Sequence, residues 1–225
     1  MFLIGQYDSP FVRRVAIALR LYGLAFEHRP WSTFGDADTI APYNPLRRVP
    51  TLVLDDGEVL IESTAILDFL DELVGSDRAM IAERGPDRRH HLKICALGSG
   101  LADKAVSLVY ERVLRKDQLK LWVERCEAQI GGVLAVLEQA RAGVPTPYWF
   151  GDTIGHADIM VACALRFTAR RIRFCSMPRA IRRWRRMQRV ARRCRYSRRS
   201  CSRLARRAGT DLALDATWSC VLQMS

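Results

Sequence analysis

The sequence predicts an α+β chain, with a small mixed sheet at its N-terminal end and an all-α region after it. Strand and helix signals in the first 75 residues fall in the order β-α-β, then β-β-α, and beyond Pro86 the strand signals stop while 3.6-residue apolar stripes continue. A break in charge sets off the end of the chain. Residues 170–225 hold 17 of the 36 Lys+Arg, all of them Arg, and only 2 of the 24 Asp+Glu, Asp211 and Asp215. The formal net charge of +12 therefore arises in that tail, and residues 1–169 are mildly acidic. The expected organisation is a sheet domain over 1–75, a linker over 76–86, a helical domain over 87–169 and the Arg-rich tail over 170–225, irregular or disordered.

Phe2-Leu3-Ile4 reads as a short apolar strand. Pro10 follows the polar Gly5–Ser9 loop at the first position of a helix, where its fixed backbone angle suits it, and Phe11, Val12, Val15, Ala18, Leu19 and Tyr22 continue a helical stripe to Gly23. Ala25–Arg29 is the second strand, which makes a parallel crossover unit. Trp31–Asn44 is irregular, with one helical turn near Asp36–Ala41. Thr51–Leu54 and Val59–Ile61 flank Asp55-Asp56-Gly57, an antiparallel hairpin signal, with Pro50 at the strand entrance, where a missing donor is tolerated. A helix over Thr64–Leu73 follows directly on Glu62-Ser63. A carboxylate and a hydroxyl at a helix start, beside a proline-fixed strand edge, can hold a small peptide by its backbone and charged ends.

The linker Gly75–Pro86 is polar and punctuated. Asp87–Lys116 is helical with an interruption expected at Gly98-Ser99-Gly100, and Asp117–Arg141 carries the stripe Leu119, Trp122, Cys126, Ile130, Val133, Leu134 and Leu137. Gly155-His156-Ala157-Asp158 opens an apolar helix through Phe167, with Asp158 placed to supply half of a capping box.

The 225 residues are enough for a substantial core in one large domain or two small ones. No apolar run approaches the ~18 residues of a spanning helix, and Met1–Tyr7 lacks the pattern of a secretory leader. The 7 cysteines form no C-x-x-C pair and no zinc spacing; Cys95, Cys126 and Cys163 lie in helical patterns as small buried hydrophobes, and a cytoplasmic location is expected. His90 and His91 show no metal spacing and read as exposed surface. Arg13 reads as solvated or paired with a surface carboxylate, and Tyr110 and Trp122 read as core or as faces of a pocket.

Four pieces, taken together, resemble the soluble glutathione S-transferase family. They are Ser9-Pro10-Phe11-Val12-Arg13-Arg14-Val15, Asn44-Pro45-x-x-x-Val49-Pro50-Thr51-Leu52, Glu62-Ser63, and Gly151-Asp152-x-x-Gly155-x-Ala157-Asp158. The resemblance covers residues 1 to about 169. Gly155 departs from it, standing where the family usually has Ser or Thr as N-cap.

The resemblance implies a thioredoxin-like N-terminal domain followed by an all-helical one, with glutathione as co-substrate, a small electrophile as second substrate and a homodimeric assembly. It implies a cis Pro50, with the Val49 backbone on the cysteinyl group and Glu62 and Ser63 on the γ-glutamyl end. Ser9 would be catalytic, donating to the glutathione sulfur at a helix N-terminus to stabilise the thiolate. Tyr7 is the alternative, since some branches of the family use a tyrosine near this strand end. Purely structural readings stand beside these, with Ser9, Glu62 and Ser63 as helix caps. Position 9 is not cysteine, which argues against a thioredoxin-like reductase. Two other functions stay open: a glutathione-binding carrier or stress protein with little catalysis, and nucleic-acid or acidic-lipid binding through the tail.

The tail itself reads as a frame change near Ala169. Arginine without lysine is odd for a selected basic surface, since point-charge sites accept either. Read one base out of register, Arg170–Ser200 admits a loop, an alanine-rich amphipathic helix and a Pro-Val-Phe segment, which resemble the family's C-terminal helices. A single-base insertion or deletion in the coding DNA is the expectation.

Overall fold

The computed structural model describes residues 1–172. Four strands, β1 (Phe2–Ile4), β2 (Glu27–Arg29), β3 (Thr51–Val53) and β4 (Val59–Ile61), form one sheet in the order β2-β1-β3-β4. β1 runs parallel to β2, and β3 runs antiparallel to both β1 and β4. The helices are α1 (Pro10–Tyr22), α2 (Ala37–Ile40), α3 (Ser63–Val74), α4 (Gly85–Leu114), α5 (Lys120–Ala142) and α6 (His156–Arg171). This is the thioredoxin-like sheet with helices, followed by an all-helical part. The out-of-frame reading of the tail falls almost entirely outside the described residues.

The sheet sorts its residues by the period-two rule. Leu3 and Leu52 face α1 and α3, in a core with Val15, Leu19, Ile66 and Leu70, while Ile4 and Val53 face Ile40 on the opposite side. Ile159, Ala162 and Cys163 of α6 join the first of these cores, so α6 packs on α1 and ties the helical part to the sheet part. The other face of α6 enters a second core with α4 and α5, built on Leu101, Leu108, Ile130, Leu134 and Met160.

The caps follow the sequence. The Ser9 hydroxyl accepts from the Val12 amide (3.4 Å) and Gly23 closes α1 in the left-handed region. At α6, the buried Asp158 carboxylate accepts from the Gly155 amide and from the Trp149 amide, each at 3.0 Å. Gly155 supplies no side chain to the box, and the space explains it. A Cβ there would sit 3.1 Å from the Met80 carbonyl oxygen, to which the His156 amide donates.

The interruption expected at Gly98-Ser99-Gly100 does not occur, and α4 runs unbroken through it. Gly98 is a contact point instead. A Cβ on it would lie 2.9 Å from Met160 Cγ and 3.4 Å from the Val161 amide nitrogen, so the glycine lets α4 and α6 approach closely. Two further expectations are corrected. His91 is buried, stacked on Phe150 with ring centroids 3.6 Å apart, because its helix face turns toward the loop ahead of α6. Arg13 is buried rather than solvated, because α6 covers that face of α1.

A buried polar cluster links α1, α3 and α6. Asp71 accepts from the Tyr22 hydroxyl and sits 2.9 Å from His156 Nε2, while the Tyr22 oxygen also accepts from the Met80 amide (2.9 Å). Burial alone would raise the Asp71 carboxyl, but His156, Tyr22 and the Met80 amide outweigh it and hold the group below the usual carboxylate range. A carboxyl lowered in the folded chain adds stability that is full above its unfolded value of about 4 and is lost as pH falls through the folded one. Asp71→Asn is therefore expected to lower the denaturation midpoint at pH 7 and to flatten its fall below about pH 4. Denaturant titrations of both proteins between pH 3 and pH 7 check this; parallel curves would contradict it.

Candidate functional site

The sheet register sets three loops side by side. β1 pairs Ile4 with Thr51, and β4 pairs Ile61 with Thr51. Continuing both ladders by one residue brings Gly5, Pro50 and Glu62 together at one end of the sheet.

Each of these positions is locally constrained. Gly5 has φ +127°, and a Cβ on it would lie 2.5 Å from Val12 Cγ2 and 2.7 Å from Val49 Cβ. Only glycine lets the loop before α1 lie against the segment before β3. That segment is held by Asn44, whose amide donates to the Arg48 carbonyl (2.9 Å) and Thr51 Oγ1 (3.2 Å) while its oxygen accepts from the Leu46 amide (3.0 Å). The Val49–Pro50 bond is cis, with Pro50 buried and Val49 half-buried.

Glu62 has φ 70°, a conformation that costs a residue other than glycine about 1–3 kcal/mol and persists only where the surroundings enforce it. Its carboxylate accepts from the Thr64 amide (2.8 Å) and the Ser63 hydroxyl (3.2 Å). Burial pushes this carboxyl up, but the Thr64 bonds, Arg14 and Ser63 outweigh it and keep the group below the ordinary range. Ser63, fully buried at the start of α3, accepts from Arg14 Nη2 at 2.6 Å, and the same nitrogen donates to Thr64 Oγ1 at 2.8 Å. The Arg14 guanidinium is itself lowered by burial, with Glu62 opposing the shift.

Sequence reasoning missed Arg14. The signal was available: Pro10, Arg14 and Ala18 lie four residues apart on one helix row, and both neighbours of Arg14 in that row are apolar. A charged residue in such a row is buried and needs a partner across the fold, here 49 residues away.

Ser9 is half-buried at the α1 N-terminus, with its hydroxyl toward Val12 N. Tyr7 lies two residues earlier, its ring stacked on His28 at 3.8 Å and nearly parallel (2°), while His28 Nε2 sits 2.8 Å from the Gly5 carbonyl oxygen. Tyr7 and His28 line a cavity of about 470 Å³ that Ser9 does not line. Arg13 and the C-terminal half of α6, with Cys163, Arg166 and Phe167, form its other wall. Burial pushes the Cys163 thiol up to about 12, so this cysteine stays protonated. Tyr110 and Trp122 do not line it. Tyr110 meets Phe34 edge-on at 5.3 Å, and Trp122 lies under the Lys104 ammonium at 5.6 Å.

Among the described residues no group of three or more His, Cys, Asp or Glu is arranged to hold a metal, and no helix is long and apolar enough to cross a membrane.

Residues 3–78 match the family model for the glutathione S-transferase N-terminal domain, and residues 121–193 match the model for the C-terminal domain, a match that extends past Ala169. The chain is 31% identical over 168 residues to the uncharacterized GST-like protein YibF of Escherichia coli, spanning 74% of this chain and 81% of that one. It is 31% identical over 204 residues to the maleylacetoacetate isomerase of Pseudomonas aeruginosa, spanning 85% and 89%. A crystal structure of a glutathione transferase family member from Pseudomonas fluorescens with bound glutathione superposes with a TM-score of 0.64 at 30% identity, over 76% of this chain and 83% of that one. A glutathione S-transferase from Methylobacterium radiotolerans, in complex with glutathione sulfonate, superposes with a TM-score of 0.72 at 28% identity, over 88% and 91%.

Proposed function

Because the chain belongs to the glutathione S-transferase family, we propose that it binds glutathione at the Gly5–Pro50–Glu62 end of the sheet and activates its thiol for attack on a small electrophile. The observation that carries this is the convergence of the cis Val49–Pro50 segment with Glu62-Ser63 at a helix N-terminus, two chemically different grips on one peptide. An extended peptide hydrogen-bonds to the Val49 backbone. The Glu62 carboxylate, ionised at neutral pH, takes the γ-glutamyl ammonium, and Ser63 with the first amides of α3 takes the α-carboxylate.

Ser9 is the thiol-activating group in this reading. Its hydroxyl stands at the α1 N-terminus, where the helix dipole favours negative charge, and donates its proton to the sulfur while its oxygen still accepts from the Val12 amide. The thiolate sulfur then forms a bond to the electrophile, whose leaving group departs with its electron pair, and the thiol proton passes to solvent. The cavity beside Tyr7 takes the electrophile. The protein acts in the cytoplasm, as its cysteine usage suggests, and as a homodimer, as the resemblance implies.

Turnover of glutathione with a generic aryl halide by the full chain tests the reading. Conjugation above the uncatalysed rate, saturable in glutathione, is the expected result. Retention on immobilised glutathione with no turnover would favour a carrier. Loss of both, with a salt-sensitive shift of DNA, would favour the tail as a nucleic-acid binder.

A further inference from the structure

Three consecutive residues at the start of α3 differ sharply in exposure. Ser63 is fully buried, whereas Glu62 before it and Thr64 after it are exposed. Behind them lies Arg14 of α1, only 2% exposed, whose Nη2 donates both to Ser63 Oγ (2.6 Å) and to Thr64 Oγ1 (2.8 Å). Its hydrogen bonds among the described residues all leave from that nitrogen, and its Nε is buried without a partner. The guanidinium is therefore directed at these two hydroxyls.

A hydroxyl has one proton to give and two lone pairs. With their oxygens accepting from Arg14, Ser63 and Thr64 each keep that proton, and a cation on the oxygen makes the proton a stronger donor. In the free protein the Ser63 proton goes to the Glu62 carboxylate (3.2 Å), and the Thr64 hydroxyl also acts on that carboxylate. The γ-glutamyl end of glutathione carries an ammonium and a carboxylate on one carbon. Its ammonium can take the place of both protons on Glu62, and the adjoining carboxylate can then receive them. Thr64 offers its proton from the exposed side of this group.

We infer that Thr64 is a further contact of the γ-glutamyl α-carboxylate, and that Arg14 is the positioning residue that holds the Thr64 and Ser63 oxygens from behind and leaves their protons for that anion. The inference rests on the glutathione reading and deepens it, because a buried residue that touches no ligand then sets the specificity for an α-carboxylate.

Calorimetric titration of the full chain with glutathione and with 4-aminobutanoyl-Cys-Gly tests this. The analogue keeps the ammonium and the rest of the peptide and lacks only the α-carboxylate. The unaltered protein is expected to bind glutathione at least about thirtyfold more tightly than the analogue, as hydrogen bonds to a charged group allow. Thr64→Val keeps the shape and removes the hydroxyl, so glutathione should weaken about tenfold while the analogue stays within about threefold. Thr64→Ser should return glutathione to within about threefold of the unaltered protein. Arg14→Met fills similar space without the buried charge, and the preference for glutathione should fall to about threefold or less with the analogue little affected. Arg14→Lys keeps the charge but not the planar fork, and its preference should be about threefold smaller than that of the unaltered protein. The lysine variant decides the role of Arg14 if the methionine variant does not fold, and an unchanged preference there would overturn it. Equal affinity of the unaltered protein for the two peptides, a preference unchanged by Thr64→Val, or a variant that weakens both peptides by the same factor would each overturn the inference. Failure of the unaltered protein to bind glutathione at all would instead overturn the glutathione reading beneath it.

Discussion

Asp158→Ala is expected to destabilise the protein by about 3 kcal/mol, a large loss for a single side chain. The carboxylate is buried and accepts from two amides, those of Trp149 and Gly155, and alanine leaves both donors without their acceptor. Each unsatisfied buried amide costs about 1–3 kcal/mol. Water cannot readily repay this, because both of these hydrogen bonds are buried. Asp158→Asn keeps one acceptor oxygen and should lose about half as much. Burial raises the Asp158 carboxyl in spite of these bonds, so the native site tolerates a neutral group. At about 2–4 °C per kcal/mol for a chain of this size, the alanine variant should melt about 6–12 °C lower. Denaturant midpoints measure the loss, and a change below about 1 kcal/mol would show that the two amides find other acceptors.

Ser9→Ala is expected to lower kcat for conjugation by about 10²–10³, the usual cost of removing one donor from a developing anion. The glutathione Kd should stay within about threefold, since the grips at Val49–Pro50 and Glu62–Ser63 are untouched. The serine also caps α1, so about 1 kcal/mol of stability goes with it. That loss is too small to explain a hundredfold fall in rate. Tyr7→Phe should leave kcat nearly unchanged, because the tyrosine ring is stacked on His28 and lines the cavity that Ser9 does not line. The reverse pattern, with Tyr7→Phe inactive and Ser9→Ala active, would move thiol activation to the tyrosine.

The hairpin around Asp55-Asp56-Gly57 and the first crossover unit were legible because their signals are local: alternation, a turn dipeptide, a proline at N1 and a glycine at the C-cap. The hairpin signal also places Pro50 opposite Glu62, whereas the pairing of β1 with β3 that adds Gly5 is a long-range contact. What the sequence hid was long-range. Gly98 carries the same letter as a helix breaker, and only the approach of α6 shows it to be a packing glycine. Arg13, Arg14, His91 and Arg166 are polar residues whose burial depends on which helix covers them, and no window of neighbouring residues contains that information. The candidate grip was thus readable as a list of residues, whereas its support from Arg14 required the packing of α1 against α3.

The central claim is that the cis-proline segment and the Glu62-Ser63 helix start hold the two ends of one peptide. Calorimetric titration of the full chain with glutathione and with the Cys-Gly dipeptide, which lacks the γ-glutamyl group, tests it most directly. The account predicts that glutathione binds at least about a hundredfold more tightly, equivalent to about 2.7 kcal/mol, and that Glu62→Ala with Ser63→Ala removes most of that difference while leaving the dipeptide's weak binding in place. Equal affinity for the two peptides, or a glutathione preference that survives the double substitution, would contradict it.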